Sequence, residues 1–124
     1  MSEVTTILLV DDDRSVLKAW KRVLQLAGYS VETAGDGATA MAVAQQIQPG
    51  LIITDRSMPG MNGIELCYRV RREPKLANTP LVLATAKPET VIGAPVWDDL
   101  WLKPVSVETM CGSIQRLLTL DAGC

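Results

Sequence analysis

The chain has 124 residues, 48% hydrophobic and 21% charged, with a formal net charge of −2 and no histidine. This is one domain's worth of sequence, apolar enough to bury a core without staples, and its charge gives no electrostatic case for binding nucleic acid. The missing histidine excludes Ser-His and Cys-His catalysis and any histidine-ligated metal.

No apolar run approaches the ~20 residues that span a bilayer, and the N-terminus lacks the basic-then-apolar pattern of a secretory signal. Cys67, Cys111 and Cys124 are too widely spaced for a metal pair. Their odd number fits reduced thiols in a cytoplasmic protein, with Cys67 and Cys111 serving as small core hydrophobes.

Thr5 to Val10 form an apolar run that ends abruptly at Asp11-Asp12-Asp13, which predicts a buried strand delivering carboxylates to its end. From Arg14 the period becomes helical, with Val16, Trp20, Val23, Leu24 and Ala27 on one face. Asp13 is placed to cap this helix and Gly28 to close it. Ser30 to Ala34 form a short strand, and a turn at Gly35-Asp36-Gly37 leads into a helix carrying Ala40, Met41, Ala44 and Ile47, ended by Pro49-Gly50.

Leu51 to Thr54 is a third strand that runs directly into Asp55. A loop punctuated by Pro59, Gly60 and Gly63 follows, then a helix to about Arg72 with Leu66, Cys67 and Val70 inward and Arg69, Arg71 and Arg72 outward. Pro80 to Thr85 form the fourth strand. Pro88, Gly93 and Pro95 leave the stretch 86–99 room for one or two helical turns. Leu100 to Leu102 form a brief fifth strand ended by Lys103-Pro104. The last helix runs from Val107 to Leu120, capped by Ser106, with Val107, Met110, Cys111, Ile114, Leu117 and Leu118 buried.

Strands alternating with helices imply a single α/β domain with a parallel sheet and helices on both faces. Asp11, Asp12, Asp55, Thr85 and Lys103 then all fall at carboxyl ends of strands, where open α/β sheets bind their ligands. Converging carboxylates need a cation or proton between them, and hard oxygen donors without histidine or paired cysteine favour Mg²⁺. A metal, a lysine and a hydroxyl donor around one carboxylate suit phosphoryl transfer onto that carboxylate.

Four motifs in order, Leu9-Val10-Asp11-Asp12-Asp13, Asp55-Arg56-Ser57-Met58-Pro59-Gly60-Met61-Asn62-Gly63, Thr85-Ala86 and Lys103-Pro104, carry a resemblance along essentially the whole chain, residues 1–124. The chain resembles the receiver domain of two-component response regulators. The resemblance implies a flavodoxin-like (βα)5 domain with strand order 2-1-3-4-5 and a phosphorylation-controlled switch rather than a turnover enzyme. Asp55 would accept a phosphoryl group from a phosphohistidine on a sensor histidine kinase or histidine phosphotransfer protein. Asp12, Asp55 and the Ser57 backbone carbonyl would ligate Mg²⁺, with Asp11 acting through water. Lys103 would pair with the phosphoryl oxygens, Thr85 would move to hydrogen-bond them, and the Lys103–Pro104 bond would be cis. Output would pass through protein contacts, to a separate partner or to an output domain absent from this sequence, with no direct nucleic-acid or membrane contact.

Two features depart from that family. The stretch 86–99 is too short and too rich in Pro and Gly for a full fourth helix, so the output face is expected to be reshaped. Leu100 stands where the family has a switching aromatic, and strand alternation places the neighbouring Trp101 on the opposite face. Trp20 reads as a packing residue on its helix. Two other classes fit parts of the sequence: a pseudo-receiver that binds partners without phosphorylation, and a haloacid-dehalogenase-type phosphatase using Asp11 and Asp13, which leaves the Asp55 motif unexplained.

Overall fold

A computed structural model describes residues 4–91 and 93–121. Five strands, β1 (Thr6–Val10), β2 (Ser30–Ala34), β3 (Leu51–Asp55), β4 (Leu81–Thr85) and β5 (Asp99–Leu102), pair in parallel in the order β2-β1-β3-β4-β5. The helices are α1 (Arg14–Leu26), α2 (Gly37–Ile47), α3 (Gly63–Arg72) and α4 (Val107–Asp121). Every residue of β3 and β4 is buried, as expected for central strands covered on both faces.

Alternation along the strands divides the core in two. Ile7, Leu9, Ile53, Val82 and Trp101 join Leu24 of α1 and Met110, Ile114 and Leu117 of α4. Leu8, Val10, Ile52 and Leu81 join Ala40 and Ala44 of α2 and Leu66, Cys67 and Val70 of α3. Asp13 caps α1 by accepting from the Ser15 and Val16 N–H groups, and Ser106 accepts from the Thr109 N–H at the start of α4. The Lys103–Pro104 bond is cis.

Some positions expected on apolar helix faces prove exposed: Ala27, Ile47 and Val107 lie at helix ends. Leu17, absent from the expected face of α1, packs against the core beside Trp20 and Val23. Cys67 and Cys111 are free thiols, buried and half-buried, while Cys124 lies outside the described residues. Among the described residues, no helix is long and apolar enough to cross a membrane.

The stretch between β4 and β5 contains a single 3₁₀ turn, Pro88–Thr90, in place of a full helix. What holds it down is Arg71, which the sequence placed on a solvated face. Its Nε donates to the Val96 carbonyl at 2.9 Å and its Nη1 to the Ala77 and Thr79 carbonyls at 3.1 and 2.6 Å. Its Nη2 meets Asp98 Oδ2 at 2.9 Å, and that same oxygen accepts the Leu81 N–H that opens β4. Tyr68, one turn earlier on α3, donates its hydroxyl to the Ala94 carbonyl. Val96 and Trp97 pack inward beneath these polar ties. Arg69 behaves as expected, paired on the surface with Glu65 one turn away.

Candidate functional site

β1 and β3 are hydrogen-bonded neighbours, so the ends of two strands distant in sequence deliver Asp11, Asp12 and Asp55 to one place. One carboxylate oxygen from each lies within 4.8 Å of the others, a grouping that could hold a metal ion. Asp11 and Asp55 are buried and Asp12 is exposed, so the cluster opens to solvent on one side. A cleft of about 660 Å³ continues from it, lined also by Arg14, Lys18 and Asp36.

The local backbone fixes each acid. Asp11 Oδ1 accepts the Asp13 N–H at 2.9 Å, and Asp55 Oδ2 accepts the Ser57 N–H at 3.1 Å. Gly63 opens α3 where the chain passes directly over the end of β3. A Cβ there would fall on the Asp55 carbonyl oxygen and crowd the Arg56 Cα, so only glycine fits this approach. Asn62 caps the helix through the Glu65 N–H.

Lys103 follows β5 and reaches across to both buried acids, with Nζ 2.6 Å from Asp55 Oδ1 and 3.2 Å from Asp11 Oδ2. Burial alone would lower the lysine's pKa, but hydrogen bonds and charge from Asp55 and Asp11 outweigh it and hold the pKa above its ordinary value. Burial pushes the Asp11 carboxyl above its usual value, against the lowering effect of the Asp13 N–H and Lys103. The ammonium is therefore locked in its charged form between two acids. Thr85 is buried at the end of β4, its hydroxyl oxygen accepting the Lys87 N–H at 3.0 Å, which leaves its own proton available to a ligand.

The model of the response regulator receiver domain family matches residues 7–115. This chain belongs to that family. Among curated relatives, the response regulator MtrA of Mycobacterium tuberculosis, described as DNA-binding, is 38% identical over 119 residues, covering 90% of this chain and 50% of that protein. RpaA of Synechocystis, described as a DNA-binding dual master transcriptional regulator, is 34% identical over 116 residues, covering 90% of this chain and 48% of its own. The receiver domain described here thus spans about half the length of the curated relatives it matches. Among solved structures, the chemotaxis response regulator CheY4 of Vibrio cholerae superposes with a TM-score of 0.85 at 34% identity, covering 93% of this chain and 99% of that one. A receiver domain from Clostridium thermocellum superposes with a TM-score of 0.88 at 19% identity, a likeness of fold.

Asp13, the second acid a haloacid-dehalogenase-type phosphatase would use, is engaged instead in capping α1, accepting the Ser15 and Val16 N–H groups.

The sequence missed one neighbour of the site. Trp20 of α1 stands with its ring centroid 5.6 Å from Lys103 Nζ and 6.0 Å from the Trp101 ring. Helical spacing put Trp20 on the inner face, but no local signal could pair it with a lysine 83 positions later.

Proposed function

We propose that this receiver domain, extending over residues 1–124, is a phosphorylation-controlled switch whose phosphoacceptor is Asp55. The observation that carries the proposal is the placement of Asp55, buried between Lys103 and the Asp11–Asp12 pair at the carboxyl edge of a receiver-family sheet. The chain has no histidine and so is not its own donor; in this reading the phosphoryl group comes from a phosphohistidine on a sensor kinase or a histidine phosphotransfer protein.

In the proposed step an Asp55 carboxylate oxygen attacks the phosphorus and forms a P–O bond while the donor's P–N bond breaks. The imidazole nitrogen leaves with the bonding pair and takes up a proton from solvent. Mg²⁺, held by Asp12, Asp55 and the Ser57 carbonyl with Asp11 in support, would neutralise charge on the phosphoryl oxygens. The cluster fits such an ion because it offers only hard oxygen donors and is open on the Asp12 side. Lys103 needs a short movement to exchange Asp55 Oδ1 for a phosphoryl oxygen, and the Thr85 hydroxyl donates to another. Output then passes by protein contact, through a partner or an attached output domain, in the cytoplasm and without direct contact to nucleic acid.

Intact mass after incubation with Mg²⁺ and phosphoramidate, beside an Asp55→Asn variant, tests the proposal. A labile phosphoryl adduct on the native chain alone is the expected result. No adduct, including with phosphorylated kinase as donor, would favour the pseudo-receiver.

A further inference from the structure

Lys103 has a third neighbour besides its two carboxylates. Its Nζ lies 5.6 Å from the centroid of the Trp20 ring, within the range of a cation–π contact. Trp20 is in turn fixed. Its ring meets that of Trp101 at 6.0 Å and a tilt of 55°, a tilted aromatic contact. Trp101 is fully buried, and its Nε1–H donates to the Ser113 hydroxyl at 3.0 Å. Ser113 donates onward to Asp99 Oδ2, which also receives Arg116 Nη2 at 2.9 Å. Trp101 is thus anchored between β5 and α4, and Trp20 packs against that anchored ring.

We propose that Trp20 is a positioning residue for Lys103. Its ring restrains the ammonium laterally while the carboxylates hold it axially, so that a long, flexible side chain stays within reach of a phosphoryl oxygen on Asp55. The aromatic pair occupies the α1–α4 side of the sheet, whereas Leu100, on the other side of β5, offers no ring. A lysine side chain has many rotamers, and a lateral restraint narrows them before the reaction. The contact itself is a feature of the unphosphorylated protein; its part in the reaction rests on the phosphoacceptor role proposed above.

The test compares Trp20→Leu, which removes the ring, with Trp20→Phe, which keeps an aromatic face. Selectively labelled lysine reads the contact in the resting protein without metal or donor. The Lys103 ε-methylene resonance is expected upfield in the native chain from the ring current, to move downfield in Trp20→Leu, and to stay largely upfield in Trp20→Phe. Intact-mass time courses with Mg²⁺ and phosphoramidate read the reaction. Adduct formation is expected to slow about fivefold in Trp20→Leu and to recover to within about twofold of native in Trp20→Phe. An unshifted ε-methylene in Trp20→Leu overturns the contact. A native rate in Trp20→Leu, or equal slowing in both variants, overturns the positioning role while leaving Asp55 as acceptor. A native chain that forms no adduct overturns both together.

Discussion

Replacing Arg71 with alanine should destabilise the domain by roughly 3 kcal/mol, although the residue lies far from the acids. Its guanidinium makes four hydrogen bonds, to the carbonyls of Ala77, Thr79 and Val96 and to Asp98. The three carbonyls belong to half-buried residues that water can partly reach, so each lost bond is worth ~0.5–1.5 kcal/mol, not a full desolvation penalty. The Asp98 contribution is small, at ~0–1 kcal/mol, because that side chain is 43% exposed and keeps the Leu81 N–H. For a chain of 124 residues the sum corresponds to a fall in melting temperature of about 10 °C. Urea unfolding measures it directly, with the midpoint expected to drop at unchanged slope. Arg71→Lys keeps the charge but loses the fork that spans two loops, and should recover less than half of the loss. A cost below ~1 kcal/mol for Arg71→Ala would refute the claim that this side chain holds Val96 and Asp98 to α3.

Gly63→Ala should cost ~1–3 kcal/mol, since the new methyl meets the Asp55 and Arg56 backbone and not a yielding side chain; unchanged stability in a urea melt would mean a looser approach. Burial pushes the Cys67 thiol up to about 12. A variant retaining only that cysteine (Cys111→Ser, Cys124→Ser) should resist a thiol reagent at about pH 8 until urea unfolds it, and fast labelling of the folded protein would contradict this. Burial alone would raise the Asp99 carboxyl, but hydrogen bonds from Ser113, the Leu100 N–H and Arg116 outweigh it and hold it below 3.8. A depressed carboxyl stabilises fully above its unfolded value and loses that stabilisation as pH falls through the folded one. Native and Asp99→Asn should therefore differ at neutral pH, by at most ~1 kcal/mol given the exposed Arg116, and converge below about pH 4; a gap that widens on acidification would reverse the sign.

Strands β1, β3 and β5 were legible because their apolar runs meet a charged residue: Val10 at Asp11, Thr54 at Asp55, Leu102 at Lys103. Helix ends were legible from Asp13 and Ser106, whose side chains cap as expected. Periodicity identifies one face of a helix but not where along its length burial stops, so Ala27, Ile47 and Val107, on the apolar faces by spacing, lie exposed at helix ends. Arg71 sits on the flank of α3, where a helical wheel points to water, yet loops contributed by residues 77–79 and 96–98 close over it. Contacts of that kind join distant segments and leave no trace in local spacing. The Asp11, Asp12 and Asp55 grouping is equally distant, and was legible only because four motifs fixed the topology that brings β1 beside β3.

That adjacency would shape how the domain responds to a divalent cation placed among the three acids. No short segment of the chain owns the acidic cluster: its donors come from two strands separated by a complete helix, strand and helix, and its balancing lysine from beyond a third strand. An unfolded chain keeps Asp11 and Asp12 adjacent but parts them from Asp55, so the complete donor set exists only in the native state and binding there stabilises the fold. A cation concentration 100 times the dissociation constant would add about 2.7 kcal/mol to the stability of the entire sheet, not of one loop. Cleaving the backbone anywhere between Asp12 and Asp55 and separating the pieces would leave neither with a site. The cluster is in this sense a gauge of global order, and a saturating cation should add the same increment of stability to every core variant that leaves the native site intact.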